Sequence, residues 1–231
     1  MTKPHIACHM MMSVDGRIDC AMTEKLKGVG EYYETLDALD APTRVSGRVT
    51  AELEMAAGPW TPAGDPAESA SLTPLGESGF HKAQDAEAYE VVFDTRGTLA
   101  WNEGSSYEKP LVIVVCEQVA REYVDYLAAR GISWIACGDG RIDVPGAVEV
   151  LAEEFGVRRM ATVGGGHINA AFLDAGLLDE VSVLIGPGID ARAGMASTFD
   201  GLPHDREPFQ LKLTSCKVFD DGAVWLRYDV L

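Results

Sequence analysis

The stretch MATVGGGHINAAFLDAGLLDEV, residues 160–181, decides how this chain is read. The apolar run "MATV" ends in Gly164, Gly165 and Gly166, and "HINAAFLDAG" follows with apolar residues at helical spacing. Consecutive glycines are entropically costly, so something at this point needs the backbone bare. A strand that runs straight into a helix offers two reasons. The first helical amides lack intrahelical partners and, with the helix dipole, favour an anion such as a phosphate. Tight packing of the helix on its strand also demands small residues. The residues alone leave both readings open.

The same rhythm extends outward. "YEVVFD" (89–94), "LVIVV" (111–115), "ISWIAC" (132–137), "RRMATVG" (158–164) and "EVSVLIG" (180–186) predict strands. "EQVAREYVDYLAARG" (117–131), "PGAVEVLAEEFG" (145–156) and "INAAFLDAG" (168–176) predict helices that stop at glycine. Nearer the start, "HIACHMMM" (5–12) predicts a buried first strand closed by "SVDG". "EYYETLDAL" (31–39) predicts a helix, "TRVSG" (43–47) a strand, and "TAELEMAA" (50–57) a helix capped by Thr50. At the far end, "FQLKLTSCKVF" and "AVWLRYDV" flank Asp220-Asp221-Gly222 and predict a β-hairpin. Residues 58–88, rich in Pro, Gly, Ser and Ala, read as a long surface-loop insertion. Strands alternating with helices predict an α/β fold. It is a mixed, mostly parallel sheet flanked by helices with a C-terminal β-hairpin, in a single domain over 1–231. Ligands on such sheets bind beyond the carboxyl ends of the strands, where the glycines sit.

Composition limits the function. The chain has 231 residues, is 47% hydrophobic and carries a net charge of −17. That acidity argues against a nucleic-acid partner, though a few local donors can still hold an anionic ligand. Cys8, Cys20, Cys116, Cys137 and Cys216 are odd in number and form no CxxC, which points to free thiols in a cytoplasmic protein. No apolar run approaches a membrane span and no signal-peptide layout is present, so no membrane partner is expected. No metal is expected either. His5 and His9 share a strand face but stand roughly 13 Å apart, too far to chelate one ion. A Rossmann fingerprint needs GxGxxG after the first strand, whereas here Gly-Gly-Gly-His-Ile-Asn comes late, with Asn169 where the third glycine belongs.

A different family matches. "MMMSVDGRID" (10–19), "SGRVT" (46–50), "VVFDTRG" (91–97), "VGGGHINAAFLDAGLLDEVSVLIGP" (163–187) and the terminal hairpin follow one another in a familiar order. It is that of the reductase domain of riboflavin-biosynthesis deaminase–reductases. The chain resembles that family, which has a dihydrofolate reductase-like fold, over nearly its whole length. The resemblance implies NADPH-dependent reduction of a phosphoribosylamino-pyrimidine, by hydride transfer to the opened sugar as an imine. The chain reads as a stand-alone reductase, because no HxE followed by PCxxC zinc-deaminase signature occurs in it.

The resemblance also implies roles. Gly47, Arg48, Thr50 and Glu54 would meet the cofactor from one side, and Gly164, Gly165, Gly166, His167, Ile168 and Asn169 from the other. Thr95 and Arg96 would receive the adenosine 2′-phosphate, for which a guanidinium is suited. Ser13, Asp15 and Gly16 form the loop where nicotinamide and substrate would meet, with Asp15 and His9 as catalytic candidates. His9, Met11 and Val163 would line the substrate side. There the chain departs from the family: His9 stands where a lysine is usual and Val163 where a glutamate is usual. "LDALDAP" lacks the expected arginine, and Glu54 replaces an aspartate. His9 has a second reading, as a hydrogen-bonded core histidine.

Two rival functions remain. A true dihydrofolate reductase needs a buried carboxylate on the first helix, for which Glu31 or Glu34 are the candidates. A non-catalytic dinucleotide-binding protein on the same scaffold would tolerate the substrate-side departures. A homodimer is expected, paired through the edge of the terminal hairpin with "KLTSCKVF" (212–219) contributing.

Overall fold

The computed structural model describes residues 3–62 and 72–231. In chain order, the first strand β1 spans His5–Ser13, a single helical turn α1 spans Cys20–Thr23 and α2 spans Glu31–Asp37. β2 (Thr43–Gly47) runs directly into α3 (Arg48–Glu54), and two short strands follow, β3 (Gly58–Pro59) and β4 (Gly79–His81). β5 (Glu90–Phe93), β6 (Leu99–Ala100) and β7 (Leu111–Val115) precede α4 (Arg121–Ala129). Next come β8 (Ser133–Ala136), α5 (Val144–Glu153), β9 (Arg159–Gly164) and α6 (Gly166–Asp174). β10 (Glu180–Gly186), β11 (Leu211–Val218) and β12 (Val224–Val230) complete the chain.

These elements group into two compact units, one of residues 1–4 and 43–158, the other of residues 5–42 and 159–231. In the first, the strand order is β2-β5-β7-β8-β4, parallel except for β4, which runs antiparallel to β8. Every residue of β7 is buried, as its unbroken apolar run requires of a strand covered on both faces. Leu111, Ile113 and Val115 pack with Tyr123, Val124 and Leu127 of α4. Each such side chain contributes about 1.5–3 kcal/mol through burial.

In the second unit the order is β11-β12-β10-β1-β9. β1 lies parallel between β9 and β10, and β12 is antiparallel to both β10 and β11. Ala7, His9 and Met11 of β1 face α2. There Ala7 packs with Leu36, Leu39, Ala41 and Ala161, and Val163 and Trp225 lean on the same cluster. The architecture is thus the expected one: mixed, mostly parallel sheet, flanking helices and C-terminal antiparallel strands, in a dihydrofolate reductase-like fold.

Local rules placed most elements. α4, α5 and α6 stop ahead of Gly131, Gly156 and Gly176, whose φ values of 67°, 70° and 66° close the last turn at no cost to a residue without Cβ. Three expectations need correction. Thr50 does not cap α3: the helix begins at Arg48, and Gly47, extended at φ −87° and ψ 168°, is its cap. Because β2 passes into α3 with no linker, the cap falls on the strand's own last residue. α6 likewise begins at Gly166, ahead of the expected Ile168. The 58–88 segment is not wholly loop, since β3 pairs with β6 and β4 pairs with β8. Residues 63–71 of it lie outside the described residues.

Candidate functional site

β1 ends at Ser13, and the loop after it is built by Asp15. Ser13 is fully buried. Its hydroxyl donates to Asp15 Oδ1 at 2.6 Å and accepts the Arg17 amide at 3.1 Å. The Asp15 carboxylate also accepts the amides of Asp190 and Ala191, each at 3.0 Å. These three donors hold the Asp15 carboxyl well below the usual carboxylate range. The loop itself turns at Gly16, with φ 79°.

α6 starts at the carboxyl end of β9. Gly164 has φ 153°, the Gly164–Gly165 peptide bond is cis, and Gly165 is the extended cap of α6, at φ −93° and ψ −172°. No side chain caps this helix, so its first amides, those of Gly166, His167 and Ile168, have no side-chain acceptor at the cap. Gly165 is half-buried and His167 exposed, whereas Gly164, Gly166, Ile168 and Asn169 are buried. Gly166 answers to packing: a Cβ there would run into the Ser197 carbonyl oxygen. Asn169 is fully buried and donates from Nδ2 to the Thr198 carbonyl at 2.9 Å, so it supports the helix from within. Ser13 is likewise buried, and the side chains of both bond within the protein, Ser13 to Asp15 and Asn169 to Thr198.

The substrate-side expectations meet the core. His9 is fully buried, stacked on the Tyr32 ring with centroids 4.9 Å apart. Its Nδ1 lies 2.9 Å from Ser182 Oγ, and its Nε2 lies 3.2 Å from Thr35 Oγ1 and 3.3 Å from the Tyr32 carbonyl. Trp225 Nε1 donates to the same Ser182 oxygen at 2.8 Å, and the Thr35 hydroxyl has the Glu31 carbonyl to donate to at 2.8 Å. These partners fit the neutral ring with its proton on Nε2, Ser182 donating to Nδ1. Burial, with the positive Arg227 nearby, pushes the His9 imidazole down from 6.5 to about 4. Met11 packs with Leu184 and Ala223, and Val163 against the cluster beneath α2. His9 and Met11 are therefore buried in the core, and Val163 is half-buried against it. β1 and β9 are interior strands, and α2 covers the face that these three share.

In the other unit, β5 ends in a turn organised by the buried Asp94. Its carboxylate accepts the amides of Thr98 at 2.6 Å and Leu99 at 3.0 Å, and the Thr98 hydroxyl at 3.1 Å. The turn presents Arg96 to solvent beside a half-buried Thr95. On α3, Thr50 is half-buried, Arg48 pairs with Glu52, and Glu54 is exposed near the helix end. Glu34 is also exposed, ion-paired with Lys217 at 3.6 Å, and Glu31 is half-buried, so neither is the buried carboxylate of a pteridine site. All five cysteines are free, and burial pushes the Cys8 thiol up to about 12. No described helix is long and apolar enough to cross a membrane.

Sequence reasoning missed the segment that follows β10. Residues 187–201 reach back to the Asp15 loop and to the start of α6. No local pattern in "PGIDARAGMASTFDG" announces those contacts, because each is made with residues far away in the chain.

The fold is shared with a pyrimidine reductase-like protein from Corynebacterium diphtheriae, at TM-score 0.69 and 16% identity, over 99% of this chain and 92% of that one. It is shared with RibD of Acinetobacter baumannii, at TM-score 0.67 and 16% identity, over 99% of this chain but 58% of that longer one. The riboflavin biosynthesis reductase Rib7 of Saccharomyces matches at TM-score 0.60 and 15% identity, over 99% and 90% of the two chains. Residues 4–225 match the family described as the RibD C-terminal domain. With that match spanning both units, the chain belongs to the RibD C-terminal domain family.

Proposed function

We propose that this protein is a cytoplasmic NADPH-dependent reductase acting on a small heterocyclic substrate. One model substrate is 5-amino-6-(5-phosphoribosylamino)uracil, named for a deaminase/reductase from Thermotoga maritima that shares the fold. The observation that carries the reading is the start of α6. An extended glycine cap, a helix with no side-chain cap and three consecutive amides form the donor set that a diphosphate needs. Bound NADPH supplies the hydride. The chain's own work is to bind and orient: the amides of Gly166, His167 and Ile168 hold the pyrophosphate, and Arg96 pairs with the 2′-phosphate. Thr50 and Thr95 add hydroxyl donors, and the Ser13–Gly16 loop borders the nicotinamide. We further propose a homodimer formed through β11, all eight residues of which are exposed.

One observation favours a second reading, a dinucleotide-binding protein without turnover. His9 and Met11 are buried, Val163 is half-buried beneath α2, and the Asp15 carboxylate is occupied by the loop. Titration with NADPH and NADH, followed by tryptophan fluorescence, tests the shared part. NADPH is expected to bind about tenfold tighter than NADH, with the preference abolished in Arg96→Ala. Equal affinities would remove Arg96 from the site, and no binding of either nucleotide would overturn both readings. NADPH oxidation with a panel of pyrimidines then separates enzyme from binder.

A further inference from the structure

Between β10 and β11, residues 187–201 form no helix or strand beyond one isolated bridge, yet they are tied down along their length. At the first end, the Gly188 carbonyl accepts the Val14 amide at 2.8 Å, and Asp15 accepts the amides of Asp190 and Ala191. Arg192 forks onto Asp190 and reaches Asp19 Oδ2 at 2.6 Å, so a cation offsets the carboxylates gathered there. In the middle, Arg17 Nη1 donates to the Met195 carbonyl at 2.7 Å, the Ile18 amide donates to Ala196 at 3.2 Å, and Arg17 bridges to Ser197. At the far end, Thr198 accepts from the buried Asn169, and its hydroxyl donates to Met12 Sδ at 3.3 Å. The Asp200 amide donates to the Gly166 carbonyl at 3.1 Å, and the His167 ring fills the space that a side chain on Gly201 would need.

We propose that residues 187–201 are a positioning strap that makes the Ser13–Arg17 loop and the first turn of α6 one cooperative unit, with Asp15 and Asn169 as its pins. Only three positions separate Met195, which receives the Arg17 guanidinium, from Thr198, which receives Asn169. Met195, Ala196, Ser197, Thr198 and Asp200 each carry a bond to one element or the other, leaving little slack to absorb a shift. The two elements must therefore open together, as a local unfolding unit does. Asp15 and Asn169 act as positioning residues: they set where the loop and the helix amides stand without touching a ligand. The functional consequence, that the strap sets the cofactor's pyrophosphate end against its nicotinamide end, rests on the NADPH reading above.

Native-state amide hydrogen exchange on the full chain without ligand tests the strap. Asp15→Ala is expected to speed exchange about tenfold at Asn169, Ala170 and Ala171, and Asn169→Leu to do the same at Asp190 and Ala191. Asp15→Asn, which keeps one acceptor oxygen, should give a smaller effect at the same distant amides. Acceleration confined to the mutated end would overturn the strap. Equal acceleration at the β7 amides, in the other unit, would mean general loosening and would overturn it too. If the strap holds, Asp15→Asn also weakens NADPH about threefold or more. Exchange coupling in the variants together with no NADPH binding by wild-type protein would retire the cofactor reading and leave the strap standing.

Discussion

At His9 the fold removes a charge that the amino-acid type offers. The imidazole sits in a chain of hydrogen bonds from Trp225 through Ser182 to Thr35, joining β12, β10, β1 and α2. It is neutral in the folded protein, where it protonates only near 4 against 6.5 for a free ring. Between those values the unfolded chain takes up a proton that the folded chain refuses. Stability is thus fully present above pH 6.5, falls as pH drops towards 4, and loses nothing more from this group below that. The shift corresponds to about 3 kcal/mol at most. The urea midpoint of wild-type protein should therefore fall more steeply between pH 7 and 4.5 than that of His9→Gln, after both are normalised at pH 7. Parallel pH profiles would show that the buried imidazole does not govern this window.

At the scale of elements, the junction of β9 and α6 divides its glycines between two jobs. Gly166 is needed because Ser197 lies where a side chain would go, whereas Gly165 caps the helix in an extended conformation that other residues adopt. Gly166→Ala should cost about 1–3 kcal/mol of stability by overpacking, read as an earlier urea midpoint. Gly165→Val should leave the midpoint nearly in place while lowering NADPH affinity about tenfold or more, by crowding the amides. If Gly165→Val binds NADPH as wild type does, the pyrophosphate is not held at this cap. The β5 turn follows the same logic on a smaller scale. Asp94 spends its carboxylate on the turn's own amides, and that leaves Arg96 free to face solvent.

At the scale of the whole molecule, the terminal hairpin is the exposed feature. Leu211, Leu213 and Val218 of β11 are 40%, 53% and 69% exposed, and no residue of β12 is fully buried. An outer strand with apolar side chains on an open surface invites pairing unless a partner covers it. Sedimentation at micromolar concentration should show a dimer, and Leu213→Lys should shift it to monomer with an unchanged circular dichroism spectrum. A wild-type protein that sediments as monomer throughout would remove the hairpin from any assembly role.

What this sequence determined by itself is the series of elements and their polarity. Alternating β and α periods, glycine stops after α4, α5 and α6, and Asp-Asp-Gly in the last hairpin are local signals, each contained within a few residues. The order of the Ser-x-Asp-Gly, Ser-Gly-Arg-x-Thr and Gly-Gly-Gly motifs sufficed for the family. Tertiary structure alone decided which motif residues are buried and which are exposed. His9, Met11 and Val163 lie on strands whose periodicity reveals two faces but not what covers them, and α2 took the face they share. Asp15 and Asn169 became anchors through bonds to residues 175 and 29 positions away. Contacts of that span leave no mark in a local pattern, because it is the sheet order, and not the spacing of residues, that brings their partners into reach.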